Sequence, residues 1–181
     1  ETEGELYVGC AGGIDTCGYF TPKFEDVPAG SKAFQLIVKG LKGGHSGMDI
    51  ILGRANANKV MNALLLKATE KFNARVADIQ GGSLRNAIPR ESFVTITVPE
   101  AKAEELLAYV PEFEAVVKEQ FAAVEPEMSI TVVPAEMPAK VIDKQTIANL
   151  IEAVAKYPNG VIAMSKDFDC SVEALLYFSF V

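Results

Sequence analysis

The sequence predicts an α+β fold: a two-layer sandwich with a ferredoxin-like core, an antiparallel sheet carrying helices on one face. Three observations predict it. Ala33 to Lys39 (AFQLIVK) is an apolar run of strand length. Asn56 to Phe72 places Ala57, Val60, Met61, Leu64, Leu65, Ala68 and Phe72 at the spacing of one helix face. Phe93 to Val98 (FVTITV) alternates Val94, Ile96 and Val98 against Phe93, Thr95 and Thr97, the period of a strand with one wetter face.

The other elements follow in order. Leu6 to Gly13 reads as a short strand running into glycines, and Cys17 to Gly30 as loop, broken by Pro22, Pro28 and Gly30. Gly40 to Asp49 is a glycine-rich turn between the first core strand and its helix. Arg75 to Ile79 is a short strand ending at Gln80-Gly81-Gly82. Beyond Pro99, Glu100 to Tyr109 and Glu112 to Val124 are helical, with Leu106, Val110, Phe113, Val117, Phe121 and Val124 on one side. Pro111 is expected to kink or restart that helix, because it removes a backbone donor. Met128 to Val133 is a further strand. Asp143 is a good N-cap for a helix bearing Ile147, Leu150, Ile151 and Val154. Tyr157 to Gly160 is a turn and Val161 to Met164 a last short strand. Strand-helix-strand thus occurs twice between Ala33 and Val133. The tail, Ser171 to Val181, has one charge and ends apolar, so on a lone domain it would be sticky: it either packs as a strand against another surface or is a damaged end of the chain.

The 181 residues suit one domain, or one domain with an appendage. With 49% hydrophobic and 23% charged residues the chain can bury a core. A net charge of -7 and the lack of any basic run argue against nucleic acid. No stretch approaches the apolar length that a membrane helix requires, and no signal peptide is visible. Cys10, Cys17 and Cys170 are odd in number and match no zinc module, which reads as reduced, intracellular thiols. The chain starts at Glu1 without methionine and is expected to be a fragment.

Common chemistries find little support. One histidine and scattered cysteines cannot build the usual three-ligand zinc site, and Glu1, Glu3 and Glu5 read as a solvated acidic end. Lys42 precedes its glycines, so the phosphate-loop pattern fails. Ser46 adjoins His45, but sequence neighbours rarely have the geometry of nucleophile and base. Two polar turns remain. One holds His45, the only histidine, among Gly43, Gly44 and Gly47. The other is Gly81 to Glu91, where Asn86, Arg85 and Arg90 could orient a small polar substrate or its carboxylate. Equally, His45 could be solvated by chance, Asn86 could cap a turn, and the arginines could pair with Glu91 or solvent.

LYVGCAGGID (Leu6 to Asp15), VPAG (Val27 to Gly30), KGLKGGHSGMDI (Lys39 to Ile50), NANK (Asn56 to Lys59), GGSLRNAIPRE (Gly81 to Glu91) and PNGVI (Pro158 to Ile162) change the weighting. In register from Glu1 to about Ser165, the chain resembles the aminoacylhistidine dipeptidases. These bacterial di-zinc metallopeptidases, also called peptidase D or cytosolic non-specific dipeptidases, are related to carnosinases. The resemblance implies a cytoplasmic homodimeric enzyme whose catalytic domain holds two zinc ions and into which a lid or dimerisation domain is inserted. Residues 1–30 would continue from the catalytic domain, 31–165 would be the lid, and 166–181 an apolar tail, where Val172-Glu173-Ala174-Leu175 only partly follows the family pattern. The zinc ligands would lie outside this chain, which on its own would bind no metal and hydrolyse nothing. His45 would stabilise the tetrahedral oxyanion, often in the partner's site, and Asn86 would contact the dipeptide. The competing expectation is a non-catalytic dimerisation or protein-binding module with structural glycine turns.

Overall fold

The computed structural model describes residues 3–4, 6, 12–168 and 171–179. The elements are β1 (Phe24–Asp26), β2 (Ser31–Lys39), β3 (Gly44–His45), α1 (Ala57–Phe72), β4 (Arg75–Gly81), β5 (Ala87–Ile88), β6 (Ser92–Pro99), α2 (Glu100–Phe121), β7 (Ser129–Pro134), β8 (Lys140–Ile142), α3 (Lys144–Lys156), β9 (Gly160–Met164) and β10 (Val172–Leu176).

Four strands build the main sheet, in the order β4-β6-β2-β7, with every neighbouring pair antiparallel. The units β2-α1-β4 and β6-α2-β7 interleave, which is the ferredoxin-like arrangement that the sequence predicts. Register fixes the inner face. Leu36 lies opposite Val94 on one side and Val132 on the other, and Phe34 lies opposite Ile96. Alternate residues therefore point one way, and Phe34, Leu36, Val38, Val94, Ile96 and Val98 are buried in one core cluster. Helices α1 and α2 pack on this sheet and supply Met61, Leu64, Leu106 and Val110 to the same cluster. A side chain of leucine size buried there contributes about 1.5–3 kcal/mol. Helix α3 packs on α1 instead and adds Ile147 and Ile151.

Pro111 neither kinks α2 into two helices nor restarts it: the helix runs unbroken from Glu100 to Phe121. Proline loses only one ladder bond here, to the Leu107 carbonyl one turn back. Buried Ala103, Leu106, Val110 and Val117 dock both halves on the sheet, and that packing outweighs the loss. Within the expected loop from Cys17 to Gly30, the short strand β1 pairs with β8. Arg75 holds this pair, its Nη2 donating to Glu25 Oε2 at 2.6 Å and to the Ile142 carbonyl at 3.1 Å. The strand expected from Leu6 to Gly13 falls largely on residues 7–11, outside the described residues. So do Cys10 and Cys170, whereas Cys17 is an exposed free thiol.

β10 pairs antiparallel with β9, and Phe178 reaches a shallow apolar groove between α1 and α3. Asn56 joins these pieces. Its Oδ1 caps α1 by accepting from the Asn58 and Lys59 amides, while its Nδ2 donates to Asn159 Oδ1 at 2.8 Å and to the Phe178 carbonyl at 2.7 Å. Lys59 Nζ donates to the Val154, Ala155 and Tyr157 carbonyls at the end of α3. Burial there lowers its pKa. The NANK and PNGVI stretches are thus two halves of one structural joint.

Asp143 caps α3 as expected. Its carboxylate accepts from the Thr146 hydroxyl at 2.6 Å and the Thr146 amide at 2.9 Å, which hold its pKa down at about 2. A folded pKa below the unfolded value of about 4 means that the stabilisation is complete above that value and is lost as pH falls through about 2. Asp143→Asn keeps the acceptor without the titration. Acid titrations followed by circular dichroism are expected to show less helix lost between pH 4 and 2 in this variant. Identical acid profiles would contradict the assignment.

Candidate functional site

The two polar turns of the sequence meet. β3 pairs antiparallel with β5, setting Gly44 opposite Ile88 and His45 opposite Ala87. The Ser46 amide then donates to the Asn86 carbonyl at 3.0 Å. His45 and Asn86 therefore stand on adjoining rungs of one short ladder, and both side chains are exposed. Ile88 anchors this ladder from the other side: it is buried, and the next carbonyl, of Pro89, accepts from the Ala57 amide at 3.1 Å at the start of α1.

The imidazole is held in one orientation. Nδ1 accepts from the Gly47 amide at 3.1 Å and the Met48 amide at 3.2 Å. In a neutral ring that accepts twice at Nδ1, the proton sits on Nε2, which is therefore a donor facing outward. The backbone beneath is fixed by Asp49, whose Oδ2 accepts from the His45 amide at 2.7 Å. Arg54 Nη1 lies 3.8 Å from that same oxygen and donates to the Gly43 carbonyl at 2.5 Å. This packing explains two glycines. Gly44 has φ +140°, and a Cβ there would lie 2.5 Å from Asp49 Oδ2 and 2.7 Å from Arg54 Nη1. At Gly43, with φ +62°, a Cβ would lie 2.8 Å from the Ile88 carbonyl.

Of the cations on the second turn, Arg85 pairs with Asp15 at 2.6 Å, both exposed, so the pair is worth little. The Arg85 carbonyl accepts from the Tyr177 hydroxyl, which ties the tail to the Asn86 turn. Arg90 packs its side chain against Gly43. Exposed apolar side chains stand on the same turns, Met48 (75% exposed) and Leu84 (60%) among them. Among the described residues, no group of three His, Cys, Asp or Glu side chains is placed to hold a metal ion. No helix among them is long and apolar enough to cross a membrane.

Sequence reasoning missed Asp49, Arg54 and Glu125. Asp49 had a signal, four residues after His45 in the same turn. Glu125 had none: it reaches the His45 loop from beyond α2, with its carboxylate on the Lys42 and Ala55 amides.

Comparison with known proteins bears on this arrangement. Residues 36–125 match the M20 peptidase dimerisation domain. The cytosol non-specific dipeptidase of Escherichia coli (strain K12) is 39% identical over 165 residues, which cover 91% of this chain and 34% of that protein. The crystal structure of aminoacylhistidine dipeptidase from Vibrio alginolyticus superposes with a TM-score of 0.86 at 35% identity, covering 89% of this chain and 33% of that one. The chain thus spans about a third of the length of either relative.

Proposed function

Because the chain belongs to the M20 peptidase family through its dimerisation domain, we propose that it serves as the lid of a cytoplasmic zinc dipeptidase hydrolysing Xaa-His and other dipeptides. His45 donates a hydrogen bond to the oxyanion of the tetrahedral intermediate, and Asn86 binds the substrate. One observation carries this reading: the ladder that sets His45 beside Asn86, with Nδ1 occupied by two amides and the Nε2 donor left facing outward. Such a donor costs no reorganisation when charge develops, and one of this kind contributes about 3–4 kcal/mol to catalysis. Met48 and Leu84, apolar and exposed on the same turns, suit a face that closes over a substrate.

In this reading residues 31–165 are the lid proper, 1–30 lead in from a catalytic domain, and 166–181 form an apolar tail. Two zinc ions in that catalytic domain would activate the attacking water. Among the described residues no group of side chains is placed to serve as their ligands, so the part proposed for this chain is to bind, orient and donate.

Asn86 has an exposed amide, so Asn86→Ala is expected to raise KM roughly tenfold in the full-length enzyme, about what one lost substrate hydrogen bond is worth. An unchanged KM would remove Asn86 from the substrate site.

A homodimer belongs to the same reading. Ala33 to Lys39 and Phe93 to Val98 lie in the central strands β2 and β6, and the sheet ends at β4 and β7. β4 has β8 beside it. β7 exposes Val133, and α2, packed against it, exposes Val116 (66%). We assign self-association to that edge, since unpaired strand edges recruit a partner. Light scattering is expected to give one discrete dimer mass, and Val116→Glu to shift it towards monomer. A monomer at high concentration would contradict this.

A further inference from the structure

We infer that Glu125 is a positioning residue for His45, an inference that rests on the oxyanion-donor reading above. Glu125 follows α2 and is only 2% exposed. Its Oε2 accepts from the Lys42 amide at 2.8 Å, and its Oε1 accepts from the Ala55 amide at 3.1 Å. Those amides stand at the two ends of the segment that carries His45, Asp49 and Arg54. Neither end lies in a helix or strand that would offer its amide another acceptor. One carboxylate from a distant part of the chain therefore closes the whole His45 loop.

The chemistry of the group is specific to that task. The Glu125 carboxyl group carries two oxygens on one carbon, and each faces a backbone N–H. Glutamine at this position would keep one acceptor and turn an NH2 group towards the other amide, leaving that N–H without its partner. Among the described residues no cation forms an ion pair with Glu125, so its burial is compensated by the two amide hydrogen bonds and not by a charge partner. Placement of a catalytic donor is demanding, since a displacement of about 1 Å can cost a hundredfold in rate.

His45 is the only histidine, so imidazole 15N resonances of this chain report on it without background. The unsubstituted chain is expected to show the Nε2-protonated tautomer and slow hydrogen exchange at the Lys42 and Ala55 amides. Glu125→Gln, checked for folding by circular dichroism, is expected to show averaged tautomer signals and faster exchange at one of the two amides. Glu125→Asp, which keeps both oxygens, is expected to recover part of the native signature. In the full-length enzyme, Glu125→Gln is expected to lower kcat about tenfold or more with KM little changed. An unaltered imidazole signature in folded Glu125→Gln overturns the inference. So does fast exchange of both amides in the unsubstituted chain, which decides the matter if the variant does not fold. The two readings part cleanly. Full activity of His45→Ala with a disturbed tautomer in Glu125→Gln sinks only the oxyanion donor. Loss of activity in His45→Ala with an undisturbed Glu125→Gln sinks only the clasp.

Discussion

If His45 is the oxyanion donor proposed above, His45→Ala in a full-length dipeptidase is expected to lower kcat by about a hundredfold or more, the usual loss when one such donor is removed. The same substitution in this chain is expected to change folding stability by no more than about 0.5 kcal/mol. The asymmetry follows from the structure. His45 is exposed and contributes nothing to the core cluster, and its two accepted bonds come from amides of its own turn, which water can satisfy. A residue that served the fold would show the reverse: a large loss of stability and an intact rate. Near-normal turnover with His45→Ala would favour the non-catalytic module, in which the glycine turns are purely structural. His45→Gln separates the donor from the ring. If hydrogen-bond donation is the whole role, glutamine should recover part of the rate, whereas a proton carrier would not be replaced by an amide that does not titrate.

The core of the fold was legible in the sequence because hydrophobic period and cap chemistry agreed there. The strand set Val94, Ile96, Val98 and the helix set Val60, Met61, Leu64 are buried as their spacing predicts. Asn56 and Asp143 cap the helices that follow them. What was hidden depends on contacts between distant parts of the chain. β1 and β8 are three residues each, too short to carry a period, and exist because they pair with each other. Pro111 obeyed local propensity less than the packing of four buried neighbours on its helix. At the site, the histidine was conspicuous as the only one of its kind. The ladder that joins its turn to Asn86 was not, because neither two-residue strand has a pattern of its own. Glu125 was the least visible of all. Nothing near it in sequence says that its carboxylate is spoken for by amides 83 and 70 residues away.

Leu36→Ala should give the opposite signature to His45→Ala. Leu36 is fully buried at the centre of β2, between Val94 and Val132, beneath the helices. Truncation removes three carbons from a packed interior that cannot collapse around the gap, because β6 and β7 hold the strand on both sides through continuous ladders. The expected loss is about 2–5 kcal/mol, a large part of the roughly 5–15 kcal/mol that a domain possesses. In thermal melts that corresponds to a fall of roughly 4–20 °C. The His45 turn should nonetheless keep its geometry in the molecules that remain folded, since its bonds run to Asp49, Asn86 and Glu125 and not through Leu36. Below the new midpoint, imidazole resonances should therefore match the unsubstituted chain, and kcat per folded full-length enzyme should stay within about twofold, as expected of distant and independent sites. A disturbed His45 tautomer in folded Leu36→Ala would mean that sheet packing reaches the turn. The site would then be part of the core's cooperative unit, and the stability of the fold would itself set the rate.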